Sequence, residues 1–307
     1  MCEVKITVED KNTRSNVRGC GLIILVLRTI FHGLSWSIHS FVTLYGIRVV
    51  FTVSEELMEN PMISEMIKFT PLFLTNWNFL FQTCFLTLSL IYDVLEWLNK
   101  VDTNIATKIQ YYRDVIFSGL VVPLTCFISS MFWIVFSIDR ELVFPEVYDQ
   151  IVPWWFNHCV HTNITIVVII ETLLQARRHP RDLKTEVIMN GTVGVAYAIV
   201  YYAIYFFAKR WLYAVFGIMT WWQVCLYQLL IWGSCFAFYF LQFPVNRLFH
   251  REEVPSLREI KDEKTGPPAE EDMDIDILHD SKLSPLVVKS WSLKYRSMRD
   301  QMENSRL

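Results

Sequence analysis

The amino-acid sequence predicts an all-α, polytopic membrane protein, a bundle of about six transmembrane helices. Hydrophobic residues make up 53% of the 307-residue chain and charged residues only 19%, a balance that is rare in soluble domains. Apolar windows of about 20 residues, the length that spans the hydrocarbon core of a bilayer, recur along most of the chain. Because open strands would leave backbone groups unpaired in lipid, these windows must be helices. The net charge of −3 is too small to indicate a nucleic-acid partner.

Six apolar spans follow one another between short charged loops. The first span is not uniformly apolar, because Arg28, His32 and His39 lie within it. The predicted spans cover residues 20–51, 71–98, 114–138, 151–175, 186–208 and 220–243. Pro244 directly follows the sixth span, and a residue without a backbone N–H at this place is typical of a helix end.

These spans divide the chain into three regions. Residues 1–19 form a polar cytosolic segment, and residues 20–245 form the transmembrane domain. From residue 246 onward the composition changes to dense charge with low hydrophobicity. This composition indicates that residues 246–307 form a disordered or loosely attached cytosolic tail.

The distribution of Lys and Arg predicts the orientation of the chain. Basic residues are concentrated in the N-terminal segment and in the loops after the second and fourth spans, whereas the loops after the first and third spans are mainly acidic. Because basic loops stay in the cytosol, both termini should be cytosolic. Span length does not separate the endoplasmic reticulum from the plasma membrane, so either membrane is possible.

Two predicted helices carry a stripe of polar side chains at helical spacing. Such stripes face the interior of a helix bundle or a wet cavity, because polar groups in lipid are costly. The stripes consist of Thr75, Asn78, Gln82, Ser89, Asp93 and Glu96 in the second span, and of Asn157, His158, His161, Thr165, Thr172 and Gln175 in the fourth. Both helices enter from the non-cytosolic side. Thr75 and His161 therefore lie at similar depths if the second helix begins a few residues before Pro71 or tilts.

A hydroxyl that faces an imidazole in a dry pocket is a nucleophile with its general base. Such a pair suits attack on the ester carbonyl of a lipid that reaches the pocket sideways from the bilayer. Spacing alone does not select the pair, because many Thr and His residues can be combined. The simplest alternative is that the histidines only form hydrogen bonds with neighbouring helices.

Three other classes of membrane protein also use buried histidines. A di-iron oxygenase needs repeated histidine boxes that this chain lacks, since it has only seven His. A haem protein would need axial ligands such as His32 and His39 facing His158 and His161, and this alternative stays open. A transporter would use similar polar groups, but the sequence shows no paired Gly- or Pro-broken helices.

Asp93 has two interpretations of its own. It either orients a histidine or lies near the cytosolic interface beside Glu96, and the sequence favours the second.

Two segments resemble the signatures of a known membrane protein family. They are residues 132–145, FWIVFSIDRELVFP, and residues 151–162, IVPWWFNHCVHT. Upstream, residues 73–78, FLTNWN, resemble the short element that opens a span in that family, and Asp93 follows in the family's order. Over residues 20–245 the chain is similar to the androgen-induced gene and androgen-dependent TFPI-regulating protein family, also called the FAR-17a/AIG1-like family.

The resemblance implies a multipass membrane threonine hydrolase that cleaves fatty acid esters of hydroxy fatty acids. By motif position it assigns Thr75 as the nucleophile and His161 as the general base. Both residues lie on the polar stripes that helical spacing selects. The substrate would be a lipid that enters from the bilayer, and no metal or cofactor is required.

Four further residues are candidates for supporting roles. Asn76, Asn78 or Asn157 would donate hydrogen bonds to the oxyanion, or would serve helix packing alone. His158 would orient His161 or bond a neighbouring backbone carbonyl. The competing hypothesis for the whole chain is a catalytically silent membrane scaffold or signalling protein that acts through its cytosolic tail.

The predicted topology can be tested with epitope tags. Tags placed at either terminus should be accessible to antibody after selective permeabilisation of the plasma membrane, because both ends are expected in the cytosol. A tag in the acidic loop at residues 139–150 is the control and should stay protected until all membranes are opened. A protected terminal tag would contradict the orientation.

Overall fold

The computed structural model describes residues 11–177 and 183–250. Within these ranges all regular elements are helical, and six helical stretches are long and apolar enough to cross a membrane. The prediction of an all-α bundle with about six spans is confirmed. The candidate spans are Leu22–Thr52, Pro61–Trp97, Asn104–Ile138, Trp154–Leu174, Lys184–Ala208 and Trp221–Phe249.

The helices are numbered in chain order, and two of the spans contain a short π-helical turn. The helices are α1 (Lys11–Thr52), α2 (Glu55–Met58), α3 (Pro61–Phe69), α4 (Leu74–Trp97), α5 (Asn104–Ile116), α6 (Val122–Ile138), α7 (Trp154–His158), α8 (Ile164–Leu174), α9 (Lys184–Ala208) and α10 (Trp221–Phe249). The π turns Phe117–Val121 and Cys159–Asn163 join α5 to α6 and α7 to α8. A π turn inserts an extra residue into a helix and is frequent at functional sites.

The start of α4 is set by the segment before it. Asn60 caps α3 by accepting a hydrogen bond from the N–H of Met62, and Pro61 occupies the first helical position, where its missing N–H costs nothing. A 3₁₀ turn follows, and Phe73 then takes an extended conformation before α4 begins. The second candidate span starts at Pro61, but the helix that carries Thr75 begins at Leu74, so an early helix start does not bring Thr75 and His161 to a common depth.

Pro244 does not end the last helix, and this part of the sequence analysis was wrong. α10 continues through Pro244 to Phe249, so the first residues assigned to the tail are helical. Buried Asn246 holds this end of the helix through two hydrogen bonds with the backbone of Arg177. Proline is tolerated in membrane helices when neighbouring groups compensate for the lost hydrogen bond. Residues 251–307, the rest of the predicted tail, lie outside the described residues.

Apolar packing joins the spans into one bundle. The principal helix pairs are α1 with α4, α4 with α5, and α6 with α10. Phe127 and Ile128 of α6 lie in a buried cluster with Leu74 of α4 and Ile164 of α8. The apolar side chains on the outer faces, such as those of Leu34 and Leu229, are exposed, as a lipid-facing surface requires.

A buried charge cluster ties five segments together at one end of the bundle. His32 of α1 is its centre, because its Nδ1 lies 2.6 Å from Asp93 of α4 and its Nε2 lies 2.8 Å from Glu171 of α8. All three side chains are fully buried. The cluster consists of Arg28, His32, Asp93, Glu96, Arg113, Asp114, Glu171 and Arg177.

The contacts of His32 fit an imidazolium. Both ring nitrogens face carboxylate oxygens, so both must donate a hydrogen if the carboxylates are ionised. With His32 protonated, the cluster holds four cations and four carboxylates and is neutral overall. A neutral arrangement in which each charged group has an oppositely charged neighbour is the form in which charges can be buried, because an isolated charge would carry the whole desolvation cost.

Replacing Glu171 by alanine should strongly destabilise the fold. It removes the partner of His32 Nε2 and one partner of Arg177, and breaking a buried ion pair from one side costs about 3–5 kcal/mol. Thermal unfolding in a fixed detergent measures the effect. Exposed Glu146 supplies the control Glu146→Ala, for which little change is expected. A Glu171→Ala protein that unfolds at the wild-type temperature would refute this role of the cluster.

Candidate active site

Thr75 lies in the first turn of α4, at the end of that helix remote from the buried charge cluster. It is partly buried, and it follows Leu74, the first residue of the helix. From Thr75 to Asp93 the helix rises about 27 Å, at about 1.5 Å per residue. The candidate nucleophile is thus well separated from the buried charge cluster.

His161 lies in the π turn between α7 and α8. Its ring is buried and stacks on Phe132 of α6, with the ring centroids 3.6 Å apart and the planes nearly parallel. Its backbone carbonyl accepts a hydrogen bond of 2.6 Å from the hydroxyl of Ser129. Among the described residues, none forms a hydrogen bond with its buried Nδ1. A buried nitrogen without a partner is costly and marks a site to which a ligand or a moving group can come.

α4 and the π turn are in contact, and one hydrogen bond shows their alignment. Gln82 Nε2 donates to the carbonyl of Ile164 at 3.0 Å, so these two residues lie at the same depth. Thr75 is seven residues before Gln82, whereas His161 is three before Ile164. The difference of four residues is an axial offset of about 6 Å, or one helical turn.

Side-chain direction shortens this offset. Helical side chains point back towards the N-terminus, so the long imidazole of His161 extends towards the level of Thr75. The hydrogen bonds of the described residues include none between Thr75 and His161. The fold thus brings the two elements together without joining the two side chains directly.

A polar layer made of uncharged groups and one histidine lies beneath Thr75. Asn78 Nδ2 and Gln82 Nε2 donate to the hydroxyl of Thr125 at 3.1 and 2.9 Å. The carbonyl oxygen of Gln82 bonds His39 Nε2, and the other ring nitrogen of His39 lies 2.8 Å from the carbonyl of Ser35. Asn78 therefore has a packing contact between α4 and α6 that accounts for its burial.

The other supporting candidates have separate surroundings. Asn76 Nδ2 donates to the carbonyl of Thr70, which ties the start of α4 to the preceding turn. Asn157 is buried in α7. His158 is exposed, and among the described residues it has no hydrogen bond with His161 or with a backbone carbonyl. Instead its Nδ1 lies 3.2 Å from the hydroxyl of Thr162, and its ring stacks on Trp133.

Asp93 contacts a histidine, which is the interpretation that the sequence did not favour, and it shares Arg28 with Glu96. Asp93 is fully buried and binds both His32 and Arg28. These two partners offset the cost of burying its carboxylate. It does orient a histidine, but not the histidine of the candidate site. Glu171 was not predicted as a buried polar residue, although it lies four residues before Gln175 and therefore beside the predicted stripe of the fourth span.

The contacts of α1 bear on the haem alternative. Both ring nitrogens of His32 and of His39 are already bonded to protein groups, which leaves neither histidine a free nitrogen for an axial bond. In the part of the chain that the structure describes, no cluster of three or more His, Cys, Asp or Glu side chains is arranged to hold a metal ion.

Two tyrosines at the start of α4 also escaped the sequence analysis. The hydroxyls of Tyr197 and Tyr213 lie 3.0 and 3.2 Å from the backbone nitrogen of Leu74. Tyr197 is on α9, and Tyr213 is in the segment between α9 and α10. No periodic pattern in the sequence indicates a contact over so long a separation along the chain.

Known proteins are similar to this chain in the same region. A family model described as FAR-17a/AIG1-like protein matches residues 38–247. The androgen-dependent TFPI-regulating proteins of Mesocricetus auratus and Homo sapiens are 33% and 31% identical over 160 and 148 residues, which are 50% and 47% of this chain and 68% and 62% of theirs. The androgen-induced gene 1 protein of Homo sapiens is 27% identical over 113 residues, which are 35% of this chain and 48% of its own. Among solved structures, none matches.

Proposed function

The chain belongs to the FAR-17a/AIG1-like family, and on this premise we propose that it is a membrane-embedded threonine hydrolase. Its substrates are fatty acid esters of hydroxy fatty acids, Thr75 is the nucleophile and His161 is the general base. The observation that carries the proposal is the buried Nδ1 of His161, which has no hydrogen-bond partner among the described residues. Most buried polar side-chain atoms have a partner, whereas this nitrogen is available to accept a proton from Thr75 or from water.

The proposed reaction has two steps. Thr75 Oγ1 attacks the ester carbonyl while His161 takes the hydroxyl proton, and the tetrahedral intermediate collapses to acyl-threonine. The hydroxy fatty acid leaves with the proton that His161 returns. In the second step His161 removes a proton from water and the hydroxide attacks the acyl-threonine. The fatty acid then leaves, and Thr75 Oγ1 takes the proton from His161, which restores both side chains.

The axial offset between the two residues is compatible with this scheme. Catalytic hydrogen bonds are often long in ligand-free enzymes and shorten when substrate is bound. An axial offset of about one helical turn leaves room for the ester group between Thr75 and His161. The stacking on Phe132 defines the plane in which the imidazole lies.

A groove beside the site supports access from the bilayer. Its volume is about 470 Å³, within the range of about 300–1,000 Å³ that is usual for small-molecule sites. Leu72 and Val200 line it; Leu72 lies three residues before Thr75 in the turn that precedes α4, and Val200 lies one helical turn after Tyr197 on α9. The remaining lining is apolar apart from Lys68. An acyl chain in the groove would thus end near the start of α4.

Covalent labelling with a fluorophosphonate probe tests the proposal. Wild-type protein should be labelled, and Thr75→Ala and His161→Ala should both lose at least about 90% of the label, since general-base activation contributes about 10²–10⁴-fold to such a reaction. The measurement is in-gel fluorescence of purified protein, together with hydrolysis of a fatty acid ester of a hydroxy fatty acid.

Two variants provide matched controls. Thr83→Ala alters another threonine of α4, whose hydroxyl bonds only the backbone of its own helix, and His158→Ala removes the exposed histidine. Both should keep the wild-type label. Label that persists in Thr75→Ala would refute the nucleophile, and a folded wild-type protein without labelling or turnover would favour the scaffold hypothesis.

A further inference from the structure

Two tyrosine hydroxyls meet at the N-terminus of α4, one residue before Thr75. The oxygens of Tyr197 and Tyr213 are 2.8 Å apart, and the backbone nitrogen of Leu74 lies 3.0 and 3.2 Å from them. The three atoms form a small triangle. The first N–H groups of a helix point out of its N-terminus. The triangle therefore lies in front of the N-terminus of α4, on the side towards which the N–H of Thr75 also points.

Aromatic contacts fix the positions of both rings. Trp77 of α4 packs edge-on against Tyr197, with centroids 5.4 Å apart, and Phe73 packs edge-on against Tyr213 at 5.5 Å. Burial raises the pKa of the Tyr213 phenol above its ordinary value. Tyr213 therefore keeps its proton at neutral pH and remains a hydrogen-bond donor.

A count of hydrogens shows that one donor is left over. Three hydrogens belong to the triangle, namely the N–H of Leu74 and one O–H from each tyrosine. The N–H of Leu74 is shared between the two oxygens, and one O–H forms the bond between the tyrosines. The remaining O–H has no acceptor within the triangle. The other tyrosine polarises it, which strengthens the bond that it can donate.

We propose that this free hydroxyl hydrogen of the Tyr197–Tyr213 pair stabilises the oxyanion that forms when Thr75 attacks an ester. This inference rests on the proposed hydrolase function and adds the residues that bind the carbonyl oxygen. The unpaired donor, the closeness to Thr75 and the low-dielectric surroundings are the features that oxyanion stabilisation requires. Asn78, which packs on Thr125, is not needed for this task.

The step balances without any further reactant. Thr75 Oγ1 forms a bond to the carbonyl carbon, its proton goes to His161, and the carbonyl π electrons move to the oxygen. The tyrosine hydroxyl donates a hydrogen bond to that oxygen and keeps its own proton. When the carbonyl re-forms, the alcohol oxygen leaves and takes the proton from His161.

Steady-state hydrolysis by Tyr197→Phe, Tyr213→Phe and the double variant tests the inference. In either single variant the remaining hydroxyl can still donate, so kcat should fall about 2–10-fold. In the double variant no hydroxyl remains, so kcat should fall about 10²–10³-fold. KM should change little, because the bond forms in the transition state. Tyr205→Phe, which alters another tyrosine of α9, is the control and should keep the wild-type kcat.

The outcomes separate the two proposals. If wild-type protein shows neither turnover nor labelling at Thr75, both are wrong. If turnover depends on Thr75 but all three variants keep kcat within about twofold, the oxyanion role alone is overturned. The unfolding temperature of each variant is measured as well. A purely structural effect would lower the unfolding temperature and the amount of active protein together. If the double variant does not fold, the kcat and KM of the single variants decide the question.

Discussion

The buried ionic contacts of His32 are the interaction on which the rest of the structure depends. Charges inside a membrane protein survive only when paired, and here a histidine on α1 joins carboxylates on α4 and α8 while arginines complete the balance. This role explains why the first span contains ionisable residues, which are unusual in a membrane helix. Its Arg28 and His32 are the counter-ions that allow Asp93 and Glu171 to lie in the interior.

This pairing also sets where chemistry can take place. Because Asp93 and Glu171 share one partner, α4 and α8 are aligned, and the bond from Gln82 to Ile164 aligns them again nearer their N-termini. The alignment brings the first turn of α4 towards the π turn that carries His161. The bundle thus has a buried charge cluster that holds the helices together and, at the other end of α4, a region where a hydroxyl and an imidazole can meet a lipid ester.

Periodicity predicted the helices and much of the candidate site, because lipid forces backbone groups into helices and polar groups inward. Asn78, Gln82 and His161, which the stripes predicted to face inward, are buried, and Thr75 is partly buried. What periodicity missed depends on contacts between distant segments. Glu171 is stabilised by residues of α1 and of the loop after α8, and the tyrosine pair is assembled from α9 and the segment that follows it. Pro244 was misread because Asn246 and Arg177 hold the helix beyond it.

The central claim is that Thr75, in the first turn of α4, becomes acylated during turnover. Peptide mass mapping after a rapid acid quench of protein mixed with a fatty acid ester of a hydroxy fatty acid measures this directly. We expect the acyl mass on the peptide that contains Thr75, and no such adduct in Thr75→Ala. An acyl group on another residue, or full turnover by Thr75→Ala, would contradict the account.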